Sequence, residues 1–238
     1  LLYATLFLLP LNPFLFYITL LPAIGAWLYN WKRQKEVGLS LPPLWQMGAV
    51  FLLCSFLSAF VSKNTAFSLM NWALQPLMYG LLYLLIYTTV STEKEKEKAL
   101  YAFLAGAVVT VAYGFFQYAN AAGMAADMEA QSWVDPERFP LLRRRMYSTL
   151  ENPNLFGAYL LMMISILTAF TLREKAVKRK TVFAGILLAL LLCLALTYSR
   201  GAWVSLAAIV LGLTLFYDKR LGFLFLLVPV VLAFSHGP

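Results

Sequence analysis

Long apolar stretches, separated by short polar segments, run through the whole chain. They lie at about residues 11–31, 43–61, 69–90, 99–118, 155–172, 181–197, 202–217 and 221–234. A helix needs about 17–25 apolar residues to cross a bilayer, and its backbone hydrogen bonds must close within the segment. None of the stretches alternates as a half-buried β-strand does. We therefore predict an all-α, polytopic transmembrane helical bundle of about eight spans, forming one transmembrane domain over residues 1–238. The first ten residues fit the end of an earlier span.

The polar connections predict the orientation of these spans. Alternate connections hold 13 of the 19 basic residues: Lys32, Arg33, Lys35, Lys94, Lys96, Lys98, Arg173, Lys175, Lys178, Arg179, Lys180, Lys219 and Arg220. Because basic connections remain in the cytoplasm, the other connections face outward. The alternating charges at residues 93–98 fit a solvated inner loop or a frayed helix end. The stretches at residues 181–197 and 202–217, which flank Ser199, Arg200 and Gly201, are either two separate spans or one helix pair with a polar kink.

Composition agrees with a membrane protein. The chain is 61% hydrophobic and 13% charged, with a mean hydropathy of +0.73, so lipid must be its solvent. The net charge of +8 then reflects orientation, and we expect no nucleic-acid partner. Cys54 and Cys193 lie inside apolar runs and are expected to be small buried side chains, not a disulfide or metal site. The ends of the chain, Leu1 and Pro238, predict a fragment of a longer protein.

The outer connection at about residues 119–153 carries a candidate anion site. It ends in the sequence RRRMYSTLENPN at residues 143–154. Asn152 and Pro153 predict a helix N-terminus, whose free N–H groups attract anions, and the arginines add forked donors for phosphate. Simpler interpretations remain open: the arginines grip lipid phosphates, Asn-Pro only caps the helix, or nearby acids neutralise the charge. Those acids are Asp127, Glu129, Asp135, Glu137 and Glu151.

A second basic feature lies on the same predicted face, in the sequence TYSRG at residues 197–201. Arg200 is flanked by apolar runs, and a charge at a membrane helix end is costly unless it is paired or hydrated. Gly201 allows a turn or a close backbone approach. Snorkelling of Arg200 to the headgroups is the simpler alternative. Two basic features on one face favour a shared anionic ligand.

Both stretches resemble motifs of a known family. STLENPN at residues 148–154, followed by Gly157, Ala158 and Tyr159, and LTYSRGAW at residues 196–203 are similar to two motifs of the O-antigen ligase and polymerase superfamily of bacterial membrane glycosyltransferases. The motif-bearing region covers about residues 143–234. The resemblance implies an architecture like that of GT-C-type transferases, in the bacterial cytoplasmic (inner) membrane, with the active face outward.

The resemblance also implies an activity. Such enzymes transfer or polymerise an undecaprenyl-diphosphate-linked glycan, with a glycan, a lipid or a protein as acceptor and with no metal, nucleotide sugar or other cofactor. By the resemblance, diphosphate binding maps best to Arg200, whereas Arg145, Arg144 and Arg143 are weaker candidates. Asn152, Asn154 and Ser199 complete the predicted binding set, and Arg200 and Glu151 are the catalytic candidates.

The family's general base is a histidine on a later outer loop. His236 fits a loop-entry turn better than that base, which leaves Glu151 as the base candidate within the chain. Two other classes of function stay open: a transporter or flippase of an anionic lipid or polysaccharide, and a non-catalytic membrane scaffold or sensor. A transporter would place charges along a path through the middle of the membrane.

Overall fold

A computed structural model describes residues 1–33, 41–120, 145–217 and 219, which are helical over most of their length. The α-helices are α1 (Leu2–Leu8), α2 (Pro13–Arg33), α3 (Trp45–Phe60), α4 (Thr65–Trp72), α5 (Met78–Thr89), α6 (Glu93–Ala119), α7 (Pro153–Arg173), α8 (Val177–Leu196) and α9 (Arg200–Phe216). A π-helical turn (Ala73–Leu77) joins α4 to α5, and a 3₁₀ turn (Ser148–Leu150) precedes α7.

Five of the described helical segments are long and apolar enough to cross a membrane: Pro13–Arg33, Thr65–Thr89, Glu93–Ala119, Pro153–Arg173 and Val177–Leu196. Trp45–Phe60 and Arg200–Phe216 are shorter apolar helices. Much of the surface is apolar; Phe14, Phe51 and Val204, for example, are exposed. A multi-pass helical membrane protein follows from these lengths and from the apolar surface.

The chain divides into two compact units, Leu1–Phe103 and Leu104–Pro238. In the first unit, α1 packs on α2, α2 contacts α5, and α3 packs on α4. The core of this unit forms around Phe16 and Leu20 of α2, which are fully buried, and it includes the buried Leu82 and Leu85 of α5. The spacing of three to four residues places each pair on one face of its helix.

The π-helical turn has a local cause in Pro76. Proline has no N–H group and clashes with the preceding helical turn, so the regular α-helical ladder cannot pass through it. Within this turn, the carbonyl of Leu74 accepts a hydrogen bond from the Tyr17 hydroxyl of α2. The turn therefore keeps Thr65–Thr89 one continuous helical segment and gives it a contact with α2.

The second unit is built on α7. Its buried residues recur every three or four positions from Pro153 to Leu167, and α8 and α9 both pack against it. On α8, Leu190, Cys193 and Leu194 are fully buried. The end of α7 that begins at Pro153, which the charges predict to face outward, carries the segments that the sequence singled out.

The structure confirms the all-α class, and each predicted span up to residue 217 falls on a described helix. The last one, at residues 221–234, lies outside the described residues. The first ten residues contain the short helix α1, and the charged run at residues 93–98 is helical. The prediction that both cysteines are buried is wrong for Cys54, which is exposed on α3, and both cysteines are free. The single transmembrane domain stays a prediction.

Candidate anion-binding site

A short non-helical segment at residues 145–147 joins the two sequence features. Arg145 is only 9% exposed. Its Nε donates to the carbonyl of Thr197 at 2.7 Å, and its Nη2 donates to Oδ1 of Asn154 at 2.9 Å. The backbone N–H of Met146 also donates to the carbonyl of Leu196, at 2.9 Å. Arg145 and Met146 therefore satisfy carbonyls at the C-terminus of α8, where a cation is also favoured by the helix dipole.

The same segment is held on its other side by α6. The side chain of Gln117 accepts a hydrogen bond from the backbone N–H of Ser148 at 2.9 Å, and the Ser148 hydroxyl donates to the carbonyl of Thr110 at 2.6 Å. All three residues are buried. A Cβ on Gly114 would lie 3.1 Å from the sulfur of Met146, so this glycine lets the segment approach α6 closely. Residues 145–148 are thus fixed by side chains from two directions.

The turn between α8 and α9 is shaped by its own side chains. The Thr197 hydroxyl donates to the carbonyl of Leu194 at 2.7 Å and accepts from the N–H of Ser199 at 3.3 Å. Tyr198 has a φ of 48°, a left-handed conformation that is uncommon for a residue other than glycine. The turn therefore ends α8 at Leu196 and starts α9 at Arg200, so two helices flank this polar turn.

The first turns of α7 and α9 lie side by side. Asn152 is the N-cap of α7, and its Oδ1 accepts from the N–H groups of Asn154 at 2.8 Å and Leu155 at 3.4 Å. Pro153 occupies the first helical position, as the sequence predicted. The hydroxyl of Ser199, the N-cap of α9, donates to Oδ1 of Asn154 at 3.2 Å. One amide oxygen, that of Asn154, therefore links both helix starts to Arg145.

Gly157 makes this close approach sterically feasible. A Cβ at this position would lie 3.1 Å from the Cβ of Ala202 and 3.4 Å from that of Ser199. Gly201 was the expected site of a turn or close approach, and this expectation is wrong. It lies inside α9 with open space around it and has no positive φ, because Tyr198 makes the turn.

The electrostatics of this end are positive. The parallel starts of α7 and α9 each carry roughly half a positive charge. Arg200 is the first residue of α9, is exposed, and makes no hydrogen bond or ion pair with the described residues. A cation at a helix N-terminus is unfavourable unless an anion balances it. Burial lowers the pKa of the Arg145 guanidinium, yet an arginine stays charged at neutral pH.

Few acidic side chains among the described residues around the site oppose this field. Between residues 145 and 217 the structure describes two acidic residues, Glu151 and Glu174. Glu174 follows the far end of α7, next to Arg173. Glu151 is exposed, has a left-handed φ of 59°, and makes no ion pair with the described part of the chain. The arrangement can attract an anion with an arginine fork, an amide and two helix ends.

The predicted site residues therefore fall into three groups. Arg145, Asn152, Asn154 and Ser199 form one connected set of hydrogen bonds. Arg200 and Glu151 are at the surface beside that set, next in the chain to Ser199 and Asn152. Arg143, Arg144 and His236 lie outside the described residues. The binding and catalytic roles of all these residues stay predictions.

Sequence reasoning missed the supporting residues on α6. Thr110 and Gln117 hold Ser148 in place, and neither was singled out. Gln117 is a side-chain amide near the end of an apolar span, and such a group usually bonds to another segment. That signal was available, but the identity of its partner, 31 residues away, was not. No family model, no curated protein and no solved structure matches this chain.

Proposed function

We propose that this protein is a membrane glycosyltransferase of the O-antigen ligase and polymerase type. It would act at the outer face of the bacterial cytoplasmic membrane on an undecaprenyl-diphosphate-linked glycan, without a metal. The observation that carries the proposal is the pairing of the two motif segments through Arg145, Asn154 and Ser199 beside an exposed Arg200. The motif resemblance supplies the substrate class, and the local charge suits a diphosphate.

The chemistry explains why this arrangement suits glycosyl transfer. When an acceptor hydroxyl attacks the anomeric carbon, the bond to the lipid diphosphate breaks and negative charge grows on the leaving oxygen. Donors fixed in advance stabilise that charge without reorganisation. Arg200 would hold the diphosphate with its planar fork, and the N–H groups at the start of α9 would share the charge. Arg145 would keep the turn before Arg200 in place.

A base must also take the proton of the acceptor hydroxyl. Glu151 is the candidate among the described residues because it precedes the cap of α7 and its carboxylate is exposed. The competing transporter function has less support. In the described helices, every Asp, Glu, Lys and Arg lies within the first six or last two residues, so no charged path crosses their middle.

The test is the pool of lipid-linked donor in cells that carry the full-length gene. Arg200→Ala is compared with the wild type at equal expression, and both undecaprenyl-diphosphate-linked glycan and finished surface polymer are quantified. We expect the donor to accumulate and the polymer to be lost. Arg200→Lys should recover only part of the product, because a lysine has the charge but not the fork.

Arg173→Ala is the matched control, because Arg173 is an exposed arginine at the other end of α7. It should leave both pools unchanged. If Arg200→Ala also leaves both pools unchanged while the protein is present in the membrane, Arg200 is only an interfacial anchor. A scaffold or sensor would then replace the transferase as the better interpretation.

A further inference from the structure

A polar cavity, open to the surroundings, lies in the first unit, between α3 and the segment formed by α4 and the π-helical turn. Two of its lining residues, Ser58 and Gln75, are exposed. Its volume is about 450 Å³. Ser55, Ser58 and Ser62 line one side, and Asn71, Trp72 and Gln75 line the other. The volume lies within the range of small-molecule sites, about 300–1,000 Å³. The described residues that line it include no Asp, Glu, Lys, Arg or His.

Part of this lining is fixed by the protein itself. The Trp72 Nε1 group donates to the carbonyl of Leu52 and to the hydroxyl of Ser55, each at 3.1 Å, and the indole packs on Phe56 with ring centroids 4.9 Å apart. The Ser68 hydroxyl donates to Ser62 at 2.7 Å. The indole is therefore a rigid aromatic wall of the cavity.

The rest of the polar lining has its hydrogen-bonding groups free. No described residue gives a hydrogen bond to the side chains of Ser58, Asn71 or Gln75. Asn71 and Gln75 lie about 9 and 15 Å along the helical segment that starts at Thr65, at a rise of about 1.5 Å per residue. At that depth in a bilayer an amide without a partner costs several kcal/mol. A polar ligand would supply partners to these amides, and lipid tails would not.

We propose that this cavity binds a neutral sugar ring. Hydroxyl and amide groups both donate and accept, as sugar hydroxyls do, and the absence of charge from the described lining favours an uncharged ligand. The C–H face of a sugar would lie against the Trp72 indole, and its hydroxyls would bond to Ser58, Asn71 and Gln75. The site belongs to the first unit and does not depend on transferase activity or on Arg200.

The test uses the full chain in phosphatidylcholine nanodiscs, with the other five tryptophans replaced by Phe so that Trp72 reports alone. Two probes are compared: maltose in solution and a neutral glycosyl-diacylglycerol in the bilayer. We expect a saturable change in Trp72 emission. The double variant Asn71→Leu/Gln75→Leu should weaken binding about tenfold or more, because two hydrogen bonds are lost.

Thr88→Val is the matched control, because the Thr88 hydroxyl bonds to its own helix on α5, at the carbonyl of Leu84. It should bind as the parent protein does. A response to the lipid-linked sugar alone identifies a glycolipid headgroup, and a response to maltose as well identifies a free glycan. No saturable response to either probe in a folded protein overturns the proposal, as does an equal response to inorganic diphosphate.

A second measurement asks whether another helix fills the cavity. Ser58→Cys is introduced with Cys54→Ala, because Cys54 is exposed on the same helix. A neutral water-soluble maleimide should label Cys at position 58, and the bound sugar should slow the labelling. Complete protection of this cysteine without any sugar would show that protein or lipid covers the site and would overturn the proposal.

Discussion

Replacing Arg145 with Ala should loosen the turn before Arg200 even when no ligand is bound. The substitution removes the hydrogen bonds to Thr197 and Asn154 and leaves a buried carbonyl without its charged donor. Each hydrogen bond to a charged group is worth about 1.5–3 kcal/mol, and the recovered hydration of the arginine offsets part of the sum. We expect a net local loss of about 3 kcal/mol, which is roughly a hundredfold in an opening equilibrium.

Hydrogen–deuterium exchange in nanodiscs measures this opening directly. The amides to follow are those of Thr197, Tyr198 and Trp203, which donate to backbone carbonyls within the turn and the adjoining helices. Their exchange should accelerate about a hundredfold in Arg145→Ala and about tenfold in Arg145→Lys, because a lysine reaches only one of the two acceptors well. Amides in the middle of α7 should be unaffected.

Arg173→Ala is again the control, since this exposed arginine should change exchange at the turn by less than about twofold. Unchanged exchange at Thr197 and Tyr198 in Arg145→Ala would refute the reasoning. The hydrogen bonds of Arg145 would then contribute nothing to the turn, and its charge would have to be explained by ligand contact alone.

Three further predictions concern two supports of the site and a carboxylate at the far end of α7. Gly157→Ala should destabilise the protein by about 1–3 kcal/mol in thermal denaturation, because the added methyl group would crowd Ala202. Gly201→Ala, which has open space around it, should be neutral or stabilising. Equal effects of the two substitutions would contradict the packing of α7 on α9. Gln117→Leu should lower the free energy of unfolding by about 1–3 kcal/mol, because it leaves the buried N–H of Ser148 without an acceptor. Gln117→Glu should lower it less, because a carboxyl oxygen can still accept that hydrogen bond. An unchanged stability in Gln117→Leu would show that the hydrogen bond to Ser148 does not support the segment. The pKa of Glu174 lies below its usual value of 4.5, mainly because its carboxylate accepts a hydrogen bond from the N–H of Ala176 and also because Arg179 is near. The stabilisation from the ionised carboxylate is therefore present above pH 4.5 and is lost as the pH falls through the lowered pKa. The melting temperature of the wild type should approach that of Glu174→Gln only in acid, and a difference that is constant with pH would contradict the shift.

The apolar pattern was sufficient to predict the helices because lipid imposes the same requirement on every span. The span expected at residues 69–90, for example, corresponds to the helical segment Thr65–Thr89. The cap of α7 was also predictable, since Asn152 and Pro153 act within one turn of the chain. Helix caps and membrane spans can both be predicted from the sequence without knowing which helices are neighbours.

The contacts that assemble the site could not be predicted in this way. Gly201 looked like the special glycine, but the close approach is at Gly157, because its neighbours come from another helix. The left-handed turn is at Tyr198, and no side-chain preference indicates that position. The partners of Arg145 were likewise hidden, because a carbonyl and an amide carry no sequence pattern that marks them as acceptors for a particular arginine.

The link from Arg145 to Thr197 spans 52 residues, and this separation has a consequence for biogenesis. Membrane helices enter the bilayer in the order in which the ribosome makes them. Arg145 is synthesised first, and its hydrogen bond to Thr197 can form only after α7 and α8 have been synthesised and inserted. The candidate anion site can thus form only after the turn at residues 197–199 has been made, so a ribosome-bound intermediate that stops at α8 lacks it.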